Sequence, residues 1–136
     1  MNPILKNILG LVAGIIIGGL VNSGLVMLGS GLVPPPTGVD PNDFESIKTN
    51  MHLYKLKHFI VPYLAHVVGS VVAAFVAVKI CNNKIISILA GAIFIIGGAA
   101  VIYMIPETPL WFSALDLLCY IPAAFLGYYL GKRKIN

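Results

Sequence analysis

"HFIVPYLAHVVGSVVAAFVAVKICNNK", His58 to Lys84, decides the fold. Between His58 and Val78 it holds no Asp, Glu, Lys or Arg, and then Lys79, two asparagines and Lys84 close it. About 20 apolar residues wound as helix rise far enough to cross roughly 30 Å of hydrocarbon. The run therefore reads as a transmembrane helix that turns back at "CNNK". A single histidine, His66, sits inside it.

Working outward gives three more spans. Upstream, "PPPTGVDPNDFESIKTNMHLYKLK" gathers prolines and much of the chain's charge, so residues 34–57 read as an extramembrane loop. A short helix is expected there around 41–49, with Asp40 as its cap and Glu45 in its first turns. Before the loop lies an apolar segment from about Pro3 to Val33. After "CNNK" come spans at about 85–105 and 110–130, joined by the rigid turn "PETP", and the chain closes on "GKRKIN". The fold class is an all-α, polytopic membrane protein: four transmembrane helices, spans 3–33, 58–80, 85–105 and 110–130, in a single domain over 1–136.

Composition agrees with that class. Hydrophobic residues make up 58% of the 136 and charged ones only 10%, more apolar surface than a soluble core of this size hides. The net charge of +4 is spread between spans instead of forming a basic stripe with interleaved aromatics, which argues against a nucleic-acid partner. Cys81 and Cys119 form no CxxC pair and read as packing residues, with neither disulfide exchange nor a zinc cluster expected. The amino-terminal apolar run is about twice a signal-peptide core and shows no convincing cleavage pattern, so it is expected to be a retained span.

Charge sets the direction. Lys6, Lys79, Lys84, Lys132, Arg133 and Lys134 fall on one side, whereas Lys48, Lys55, Lys57 and all five acids fall on or near the other. The positive-inside rule places both termini in the cytoplasm and the long loop outside, as in a bacterial plasma membrane. Trp111, Tyr54 and Tyr63 then mark the outer interface, and Tyr128 and Tyr129 the inner one.

A weak internal repeat links the spans. An offset of 77 aligns Ala13 and Gly14 with Ala90 and Gly91, and an offset of 50 aligns Ala73, Ala74 and Phe75 with Ala123, Ala124 and Phe125. This is compatible with two duplicated helix hairpins related by an axis along the membrane normal. Under the second offset His66 and Asp116 are equivalent. Their depth agrees: they precede Lys79 and Lys132 by 13 and 16 residues, which sets both roughly 20–24 Å above those lysines. Asn22, 16 residues beyond Lys6, reaches the same height.

These three residues form a candidate polar layer in the outer third of the bilayer. An ionised carboxylate in hydrocarbon costs at least about 3 kcal/mol, so Asp116 should face the bundle interior and find a partner. Histidine can donate to it or share its proton. The competing reading is that His66, Asp116 and Asn22 only lock helices together through hydrogen bonds.

Secondary candidates are His58, Tyr120 and Glu107. His58 stands roughly 12 Å above His66 on the same helix, too far for one metal, and its spacing to His52 and Glu45 matches no zinc pattern, so no metal and no cofactor is expected. Gly10, Gly14 and Gly18, with Gly69 and with Gly127 and Gly131, make grooves for close helix packing, in this chain or against another copy. Pro62 and Pro122 are expected to kink their spans. No GxSxG, HExxH or phosphate-binding glycine loop is present, which argues against the usual enzyme classes.

Three functions follow as expectations. The first is a small transporter- or channel-like protein moving a proton or small solute past the polar layer, as a homo-oligomer because four short helices enclose little volume. The second is an accessory or assembly subunit of a larger membrane complex. The third is a lipid-acting enzyme using His66, Asp116 and Tyr120. Each takes the lipid bilayer as its surroundings, and they differ in what should surround His66: a polar cavity, a dry satisfied trio, or a side opening to lipid.

Overall fold

The computed structural model describes residues 2–133. Lys134, one of the basic residues used above for orientation, lies outside them. The described residues contain helices only: α1 (Pro3–Leu32), α2 (Phe44–Thr49), α3 (Leu56–Cys81), α4 (Lys84–Ala92), α5 (Phe94–Met104) and α6 (Leu110–Gly131), plus a single 3₁₀ turn at Met51–Leu53. α1, α3, α4 with α5, and α6 supply four helices long and apolar enough to span a membrane. This fits an integral membrane protein.

Local chemistry sets the ends. Asn2 accepts from the Ile4 N–H at 2.9 Å and Pro3 follows at the first helical position, so α1 starts capped. It stops at Leu32 because Val33 precedes a proline, which disfavours the helical conformation. The two asparagines of "CNNK" divide the work of the turn. Asn82 ends α3 in the left-handed region at φ 51°, and the Asn83 carboxamide accepts from the N–H groups of Ile85 and Ile86 to start α4.

One expectation is corrected. The loop helix spans only Phe44–Thr49 and is capped by Asp43, which accepts from the Glu45 N–H; Asp40 instead accepts from the Asn42 N–H in a tight turn ahead of it. The third span, Lys84–Met104, is interrupted once within its length. At Ile93 the ladder shortens to a bond from the Ile96 N–H to the Ile93 carbonyl, and α4 gives way to α5.

α3 lies at the centre, packed by α1, α4 and α6. At the lysine-bearing end the contact is backbone to backbone. A Cβ on Gly14 would sit 2.5 Å from the Ala73 carbonyl oxygen, and one on Gly18 would sit 2.6 Å from that of Gly69. Gly127 and Gly131 close on Val71 and Phe75 in the same way. These glycine faces are therefore filled within one chain, by α3. Ala73, Ala74, Ala77, Ala90 and Ala124 are fully buried among them, and the hydroxyls of Ser70 and Ser87 donate to the carbonyls of Gly91 and Ala74. Cys81 and Cys119 are free and buried, and Cys81 packs against Gly10.

The other end is built differently. Phe59, Phe112, Met51 and Ile105 form an apolar cluster, flanked by Ile47, Tyr54 and Tyr63, so the loop folds back over the helix tips. α5 packs on α6 and the end of α4 and makes at most marginal contact with α1 and α3. Of its residues only Gly98 is buried. The space it leaves is a cavity.

Candidate functional site

His66 and Asp116, 50 residues apart in sequence, meet across α3 and α6: Nδ1 lies 2.6 Å from Oδ1. Asp116 is 2% exposed. Its second oxygen accepts from the Tyr120 hydroxyl at 3.2 Å, a contact the helix supplies because residues four apart share a face. The Tyr120 ring also lies nearly parallel to the imidazole, with centroids 5.8 Å apart. It fits there because Gly98 of α5 has no side chain: a Cβ would fall 2.6 Å from the Tyr120 hydroxyl. Three residues, one each from α3, α5 and α6, thus hold one carboxylate.

A cavity of about 290 Å³ leads to this pair from the loop-covered end. Both His66 and Asp116 line it, and most of the remaining wall is apolar. His58, Tyr54 and Thr108 are among its polar lining. The His66 side chain is 20% exposed, and its described hydrogen bond uses Nδ1 alone. With Nδ1–H donated to the carboxylate, Nε2 carries the lone pair, as in any oriented aspartate–histidine couple. The arrangement can therefore accept a proton or a hydrogen-bond donor from the cavity.

Asn22 does not join the pair. Its Cβ packs on Gly69, one turn from His66, and its Oδ1 is buried without a hydrogen-bond partner. Residue counting put it level with His66 but could not give its bearing around α1, and it lies beside Gly69. The expected polar trio is a pair, assisted by Tyr120.

The other candidates separate. His58 lines the cavity, yet its Nδ1 accepts from the Lys55 N–H at 2.8 Å and so closes the first turn of α3. Glu107 is exposed in the turn before α6, and its neighbour Thr108 faces the cavity instead. His52 is exposed, and among the described residues no group of three or more His, Cys, Asp or Glu could hold a metal ion. Tyr54 lies outside the spans, where burial pushes its phenol above its ordinary value.

Sequence reasoning missed Gly98 and the cavity itself. Gly98 looked like one more small residue in an apolar run, and the cavity is lined by residues of α1, the loop, α3, α5 and α6 that lie far apart in sequence. No protein-family model, curated protein or solved structure matches the chain.

Proposed function

We propose that this chain is a small transporter-like membrane protein that takes a proton or small solute from outside into the cavity and holds it at His66 and Asp116. The observation that carries the reading is that a cavity of about 290 Å³ is lined by a hydrogen-bonded acid–base pair whose carboxylate is buried. Buried titratable groups at the base of a pocket are costly to keep, and in spanning helices they commonly mark ion or proton paths.

Below the pair, towards the lysines, glycine and alanine bring the helix backbones of α1, α3 and α6 into direct contact. Passage would therefore need one hairpin to rock against the other, as in alternating access, and not a standing pore. A duplicated hairpin draws its support from the sequence offsets, under which His66 and Asp116 are equivalent, and from the contact those two residues make. Orientation follows the lysines, with both termini cytoplasmic in a bacterial plasma membrane.

The cavity lies within one chain, which removes the need for a second copy to build it. The accessory-subunit reading keeps one favouring observation: Gly19, Gly24 and Gly31 on α1 have open space around them and could receive another helix. A lipid-acting enzyme would need a reacting group beside His66, and the serine of the wall, Ser30, donates its hydroxyl to the Met27 carbonyl.

Proton flux into liposomes carrying the parent, Asp116→Asn or His66→Ala tests the proposal. Flux in the parent that disappears in both variants while they stay folded is the expected result. No flux in any of the three, with stability lost in the variants, would reduce the pair to a structural clamp.

A further inference from the structure

The chemistry of the cavity wall narrows what it can hold. Its lining contains one carboxylate, Asp116, and no Lys or Arg. Lys55 and Lys57 are nearby in sequence but exposed to the outside. An anion entering this space would meet no fixed positive charge. The wall includes Phe44, Tyr54, Phe59 and Phe112, aromatic side chains of the kind that attract a cation. The volume, about 290 Å³, sits at the lower bound of small-molecule sites, near 300 Å³.

At the base, the imidazole and the carboxylate define two charge states. With neutral His66 the pair carries a net charge of −1 in apolar surroundings, an unfavourable state that a single positive charge relieves. A proton on Nε2 does so by making an imidazolium beside the carboxylate. A protonated amine does so equally, donating an N–H to the Nε2 lone pair with Asp116 behind it. The two cannot occupy Nε2 together.

The groups facing the pair do not supply that charge. From α6 come Tyr120, bonded to Asp116, and Cys119, three residues along. α3 adds His58 two turns above, α1 brings Asn22 beside Gly69, and α5 contributes no titratable residue to the wall. α4, whose Lys84 lies at the far end, adds none.

We infer that the cavity binds a small, apolar-bodied molecule bearing one protonated amine, and that this cation and a proton exchange at Nε2 of His66. One amine enters and one proton leaves, so the net charge of the buried site stays zero. The inference rests on the proposed transporter reading for its biological use, since such exchange is the elementary step of proton–amine antiport, but binding itself can be measured apart from transport.

The experiment uses phenethylamine, 2-phenylethanol and phenylacetate, which share one apolar body and differ in head-group charge. Their binding to the purified full chain in lipid nanodiscs is followed by calorimetry in two buffers of different ionisation enthalpy. The amine is expected to bind at least tenfold more tightly than the alcohol or the acid, to release close to one proton per molecule near neutral pH, and to lose at least tenfold in affinity in Asp116→Asn. Phe59→Leu, away from the pair, should weaken the amine by a smaller factor while leaving proton release intact. Equal binding of amine and alcohol, tighter binding of the acid, or binding without proton release would overturn the inference. Amine binding with proton release but no liposome flux would keep it and remove transport; proton flux without amine binding would do the reverse.

Discussion

The two ends of this bundle solve helix packing in opposite ways. At the lysine end, glycine and alanine let α1, α4 and α6 approach the α3 backbone so closely that a single added carbon would strike a carbonyl. At the loop end, phenylalanine, tyrosine and methionine hold the helices apart, and a cavity opens between them. Small residues gain stability from close contact across many backbone atoms, which hydrocarbon solvent cannot reproduce. Large ones leave room that a mobile ligand can fill. His66 and Asp116 lie where the first solution gives way to the second.

The comparison breaks most visibly if the tight end tolerates bulk. Gly14→Val should cost about 3 kcal/mol, the upper range for overpacking, because the obstructing atoms are backbone and cannot rotate away. Gly24→Ala, on the same helix with open space around it, should change stability by less than about 1 kcal/mol and favour the helix by propensity. Unfolding in mixed micelles against added denaturing detergent measures both. Similar losses at the two positions would mean that α1 does not rest on α3 through its glycines.

The boundary itself comes next. Asp116→Asn keeps the shape but removes the charge that holds His66, and with it the better acceptor for Tyr120. Membrane hydrogen bonds average about 0.6 kcal/mol and reach about 1.7, so the expected loss is about 1–3 kcal/mol. Tyr120→Phe should cost less, near 1 kcal/mol, and Gly98→Ala a similar amount by pushing the Tyr120 hydroxyl from its place. The double variant Gly98→Ala with Tyr120→Phe should lose less than the sum of the two, since either alone already breaks the bond to Asp116. Full additivity would show that Gly98 acts on something other than Tyr120.

The same boundary marks how far the sequence could be read. The tight end was legible because its signals are local and repeated: glycines every fourth residue, lysines at the ends, and an asparagine pair that shapes a turn. The His66–Asp116 contact was legible for a different reason. Distance from the flanking lysines gives height, and an offset of 50 placed the two residues in equivalent positions. Height without bearing misled for Asn22, which points at Gly69 and not at His66. The loop end was the least legible. Its cavity takes its wall from α5, from α1 and from residues 34–57 folded back over the helix tips, which come together through contacts distant in sequence. Asp43, not Asp40, caps α2 because Asp40 is already held in its own turn by the Asn42 N–H.

The smallest effect belongs to the cavity mouth. Tyr54 is partly buried against Phe59 and the edge of His58, and loss of water around its phenol disfavours the phenolate. Its folded value therefore lies above that of the unfolded chain, near 10. For such a group the stabilisation is present below about pH 10 and is lost as pH rises through the folded value. Tyr54→Phe should accordingly flatten the fall in stability above about pH 10 while leaving the curve at neutral pH within about 0.5 kcal/mol of the parent. The fall can be followed by detergent unfolding at stepped alkaline pH, with tyrosinate absorbance as the second readout.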